Sequence, residues 1–153
     1  MYAKERPAER VQTVAAANDD FEIPAETPDY RIEAKLKLEE EVTLLNFTPH
    51  MHLRGKSLKW VIVYPDGTEK TILNVPKFDF NWQFNYELKE PLKIPAGSKI
   101  LGLGVSDNSI RNKWNPAPHL EVYWSEQSWD EMYQPFTEYS VDSQDLTVLE
   151  PLG

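Results

Sequence analysis

His50-Met51-His52 is the segment of this sequence whose residue types and spacing most suggest chemistry. On an extended backbone, residues two apart project to the same face, so the two imidazoles point the same way and Met51 points to the other. Two neighbouring imidazoles make half of a site for copper, zinc or iron. The chain has three histidines and no cysteine, so any further ligand must come from His, Met, Asp or Glu. On spacing alone, a His-X-His strand also describes two unrelated surface histidines. His119, between Pro118 and Leu120 after a long polar loop, reads as a surface or loop-packing residue.

Other chemistries find less support. A net charge of −9, with the basic residues scattered among acids, argues against a nucleic-acid partner. Asp79, Asp107 and Glu131 are not spaced as an acid/base pair, and no Ser-His-Asp set or phosphate-cradling glycine loop is present. Without cysteine, thiol catalysis and disulfides are excluded. Five tryptophans could form a sugar-stacking platform. Trp82 is expected in the core, which leaves Trp114 in the polar loop as the best exposed candidate.

The elements that must position these residues read as strands. Residues 1–20 form a charged N-terminal arm or linker, and 21–153 one domain. Tyr30–Leu38 alternates apolar and charged residues, as a half-buried strand does. Val42–Phe47, Leu58–Tyr64 and Thr68–Val75 follow. Pro65-Asp66-Gly67 supplies a hairpin turn between the last two. In 78–88, Phe78, Phe80, Trp82, Phe84, Tyr86 and Leu88 alternate with polar residues, predicting a strand with an aromatic core face. Pro95-Ala96-Gly97 turns into Ser98–Val105, and Leu120–Trp124 and Glu131–Tyr139 complete the set. Eight or nine short strands with no helical period predict an all-β antiparallel sandwich of jelly-roll type. No apolar run reaches the roughly 20 residues a transmembrane helix needs, and Met1–Arg10 lacks the apolar core of a signal peptide.

His50-Met51-His52-Leu53-Arg54-Gly55-Lys56 resembles the His-X-His-Leu-X-Gly-Lys segment of the copper type II, ascorbate-dependent monooxygenases, the family of peptidylglycine α-hydroxylating and dopamine β-monooxygenases. Asp130-Glu131-Met132 resembles that family's Asp-Glu-Met segment. The likeness is nearest to a bacterial branch of multidomain exported proteins. It runs through Phe21-Glu22-Ile23-Pro24-Ala25, Tyr64-Pro65-Asp66-Gly67, Asp79-Phe80-Asn81-Trp82-Gln83, Asp107-Asn108-Ser109 and Asn115-Pro116, over roughly residues 21–136. It implies one mononuclear copper held by His50, His52 and Met132, with O2 activation and C–H hydroxylation of a small-molecule substrate. It further implies ascorbate or another external reductant and an extracytoplasmic, periplasmic or secreted setting.

The chain also departs from the family. The family's enzymes carry a second copper on an N-terminal domain, held by three histidines. Here only His119 is left over, so an N-terminal copper domain or an electron-donor subunit would have to supply the second electron. The isolated domain is not expected to turn over alone. The peptide-amidating branch has an Arg two residues before the first His and a Tyr four residues after the Met. Thr48 and Phe136 stand at those positions, which removes the Arg–carboxylate fork. Val105 stands where the bacterial branch commonly has His. The alternative is a non-catalytic copper-binding, protein-binding or carbohydrate-binding sandwich.

Overall fold

The computed structural model describes residues 7–148. Among them are ten strands: β1 (Gln12–Ala15), β2 (Glu22–Ile23), β3 (Tyr30–Lys37), β4 (Val42–Thr48), β5 (Gly55–Val63), β6 (Glu69–Val75), β7 (Tyr86–Ile94), β8 (Lys99–Ser106), β9 (Val122–Tyr123) and β10 (Phe136–Val141). One sheet runs β1-β10-β4-β7 and the other β3-β8-β5-β6, with β2-β9 a separate ribbon. All pairings between strands are antiparallel. The molecule is an antiparallel β-sandwich of the jelly-roll type, in which the chain passes repeatedly from one sheet to the other.

Period-two burial explains why these segments are strands. In β3, Ile32 and Ala34 face the core while Arg31, Glu33 and Lys35 face solvent. Leu44 and Phe47 of one sheet meet Leu58, Trp60, Ile62 and Ile100 of the other in a single cluster. The Phe47 and Trp60 rings bridge the sheets with centroids 5.4 Å apart. Gly67 (φ +85°) and Gly97 (φ +82°) close the two turns expected of Pro65-Asp66-Gly67 and Pro95-Ala96-Gly97.

Two segments differ from the sequence expectation. Within the expected arm, Gln12–Ala15 pairs with β10 as an edge strand, too short for its alternation to stand out. The 78–88 aromatic strand is largely absent: 78–85 is an irregular loop, and β7 begins only at Tyr86. Phe78 is buried, but Trp82 is 63% and Phe84 57% exposed, so Trp82 is not a core residue. The turn closed by Trp82 N–H on the Asp79 carbonyl, with the Asp79 carboxylate accepting from Asn81 N–H, breaks the alternation. Trp82 and Phe84 stack on each other instead, 5.1 Å apart and 21° from parallel. The expected strand from Glu131 is likewise interrupted, with single bridges at Glu131 and Tyr133 before β10 starts at Phe136.

Candidate metal centre

His50 and His52 lie just beyond the end of β4, and Met132 lies just before β10. β4 and β10 are paired, with Thr48 opposite Phe136 and Phe47 opposite Thr137. The same register continues past the strand ends: Gln134 N–H donates to the His50 carbonyl (3.0 Å), and Met51 bridges Tyr133. That register sets Met132 directly opposite His52, where side chains on one face of an antiparallel pair stand roughly 5 Å apart at Cβ. His50 lies on the same face two residues back, its ring centroid 5.3 Å from that of His52. The two histidines and Met132 therefore share one face at one end of the sandwich. Met51 and Tyr133 fill the opposite, fully buried face, as the alternation requires.

A buried carboxylate fixes this register. Glu131, wholly inaccessible, accepts the backbone N–H of His52 (2.6 Å) and of Met132 (3.0 Å) on Oε1, and that of Arg54 (3.1 Å) on Oε2. One carboxylate thus ties together the backbones of both segments. Burial pushes Glu131 up to about 7, against the opposing pull of those three N–H donors and of the Arg54 guanidinium. Arg54, itself buried, donates through Nε to Asn108 and through Nη1 to the Trp129 and Asp130 carbonyls.

Each imidazole is prepared differently. Gln83 donates its amide to the Phe80 carbonyl (2.9 Å), which leaves its Oε1 as the acceptor facing His50 Nδ1 (2.6 Å). His50 Nδ1 therefore carries the proton, and its Nε2 lone pair is free. This is the arrangement usual for a metal-ligating histidine. His52 is buried and makes no side-chain hydrogen bond of good geometry, its Nδ1 being fully enclosed. Burial, then the neighbouring His50, lowers its pKa, partly offset by the Gln127 carbonyl and Asp130. Such a ring stays neutral more readily than free imidazole and keeps a lone pair to donate. The Phe136 ring lies 6.1 Å from His50 and the Phe80 ring 6.3 Å from His52, so the pair sits in aromatic surroundings.

These residues fit a copper ion by donor type: two nitrogens with a lone pair available and one thioether. Among the described residues, no trio of His, Cys, Asp and Glu converges on one point, so a third donor beside the histidines would have to come from outside that set. His119 is exposed. Thr48 Oγ1 is 3.3 Å from Asn85 Oδ1, and Val105 lies in β8.

No family model and no curated protein matches the chain. Among solved structures it is similar to the VP2 subviral particle of infectious bursal disease virus, at 15% identity and a TM-score of 0.42, over 87% of this chain and 32% of that one. The same virus's Gx strain gives 14% identity and a TM-score of 0.42, over 90% and 34%. A ruminal GH26 endo-β-1,4-mannanase gives 8% identity and a TM-score of 0.30, over 74% and 18%. The chain spans about a third of the length of the viral chains. At these identities and TM-scores nothing about ligand or activity passes to this chain.

Sequence reasoning missed Glu131 as a clamp, Gln83 as the partner of His50, and two glycines of β8. A Cβ on Gly102 would lie 2.5 Å from Pro135 Cγ, and one on Gly104 would collide with the Tyr133 ring. The Gly102-Leu103-Gly104 alternation, legible in the sequence, marks where a neighbouring segment must approach the inner face of a strand.

Proposed function

We propose that this chain is a mononuclear copper-binding domain of the monooxygenase type, with His50, His52 and Met132 as ligands. The observation that carries the reading is the backbone register, clamped by Glu131, that sets Met132 opposite His52 on the face of His50. It is joined by the Gln83–His50 hydrogen bond, by the enclosed His52 Nδ1 that has no hydrogen-bond partner, and by the sequence resemblance across both segments. When bound, copper would supply O2 activation for hydroxylation of a C–H bond. The chain's own residues hold and orient: Gln83 fixes the His50 tautomer, Glu131 sets His52 against Met132, and Phe80 and Phe136 flank the rings. Electrons would come from a partner domain or subunit fed by ascorbate or a similar reductant, in an extracytoplasmic setting. The test is Cu(I) and Cu(II) affinity, by chelator competition, for the chain and for Met132→Ile. The thioether assignment predicts a selective loss of Cu(I) affinity in a folded variant; equal affinities would remove Met132 from the site.

A second reading, favoured by the sequence leaving only His119 beside the His50/His52 pair, is a copper-binding module without turnover. Reductant-dependent O2 consumption, with and without an N-terminal copper domain, distinguishes the two.

A further inference from the structure

A second site candidate lies beside the Trp129-Asp130 turn, in a cleft of about 300 Å³ that Arg54, Pro116, Leu120, Glu121, Trp129 and Asp130 help to line. That volume is at the small end of ligand pockets and suits a single ring.

Arg54 is 1% exposed, and its Nε and Nη1 are taken by Asn108 and by the Trp129 and Asp130 carbonyls. Its Nη2 has no hydrogen-bond partner among the described residues, and Arg54 is one of the residues that line the cleft. The Asp130 carboxylate forms no hydrogen bond or ion pair among the described residues. Glu121 uses one oxygen to accept from Tyr123 OH, leaving the other free. The remaining wall is apolar: Pro116, Leu120, which is 53% exposed, and Trp129, which is 60% exposed.

Residues of both charge signs line this one space. A simple anion meets Glu121 and Asp130, and a simple cation meets Arg54, so neither is accommodated well. A neutral polyol satisfies both, because each hydroxyl accepts from Nη2 or donates to a carboxylate. An apolar wall carrying an exposed indole suits the C–H face of a sugar ring. We propose that this cleft is a carbohydrate subsite holding one pyranose ring, with Trp129 as the stacking surface and Arg54, Glu121 and Asp130 as the hydroxyl contacts. The assignment does not depend on copper, so its failure would leave the metal centre untouched.

The test uses the metal-free chain titrated with cellohexaose, mannohexaose and chitohexaose, with glycine betaine as a zwitterion probe. Calorimetry and tryptophan fluorescence read the binding. The assignment predicts saturable binding of at least one hexaose, weakened tenfold or more by Trp129→Ala and by Glu121→Gln. Trp82→Ala, on a different loop, leaves that binding unchanged. Because Glu121 is exposed, its variant keeps the test decisive should Trp129→Ala misfold. No saturable hexaose binding by the folded chain, binding indifferent to both substitutions, or binding of glycine betaine alone would each overturn the assignment.

Discussion

Tyr133 and Glu131 sit one residue either side of Met132, and their burial has opposite consequences. Tyr133 is fully buried and its hydroxyl has no partner, while burial and Glu33 hold its ionisation far above the ordinary range. Removing an unpartnered buried hydroxyl is neutral or favourable, so Tyr133→Phe should leave stability unchanged or raise it by about 1 kcal/mol in urea melts. Glu131 is the reverse case. Glu131→Gln would face one of three backbone N–H donors with an amide N–H, and should lower stability by about 1–3 kcal/mol. If the proposed copper site holds, Gln83 acts on affinity more than on folding. Gln83→Leu frees the His50 tautomer and should weaken copper binding by roughly 10–100-fold, the range typical of outer-sphere partners, with the melting temperature little changed.

At the scale of elements, the site depends on how closely the Met132 segment approaches β8. Gly104→Ala would push the Tyr133 ring away, costing about 1–3 kcal/mol by overpacking and moving Met132 out of register with His52. Stability and copper affinity should fall together, in contrast to Gln83→Leu. Gly55 has a parallel role: a Cβ there would lie 2.6 Å from the Phe78 ring, so this glycine admits the loop that carries Gln83. A strand with clean alternation, such as β3, was legible from sequence because only the hydrophobic face decides it. The 78–85 loop was not, because a local Asp79 turn overrode a pattern that otherwise reads as a strand. His50 and His52 could be paired from spacing alone. Met132 needed a resemblance, since its neighbour lies 80 residues away and only the β4–β10 register brings them together.

The whole molecule is a sandwich whose proposed copper site lies at one end, where paired strands run out into loops. No helix among the described residues is long and apolar enough to cross a membrane. Two buried groups give the metal-free chain opposing pH responses. The lowered pKa of His52 supplies stability that is present above the unfolded value of 6.5 and lost as pH falls. Glu131, raised from 4.5 to about 7, supplies stability that is present below 4.5 and lost as pH rises through about 7. The two act in opposite directions above 4.5 and below 6.5. Urea melts across that window should therefore show Glu131→Gln losing stability as pH falls and His52→Asn gaining it.

In the proposed centre one copper is held by two imidazoles and one thioether. Anaerobic Cu(I) titration of the folded chain, followed by X-ray absorption at the copper edge, measures this directly. The expected result is one equivalent of Cu(I) with two nitrogen and one sulfur scatterer, the sulfur vanishing in Met132→Ile. Absence of stoichiometric binding, or a bound copper without sulfur, would contradict it.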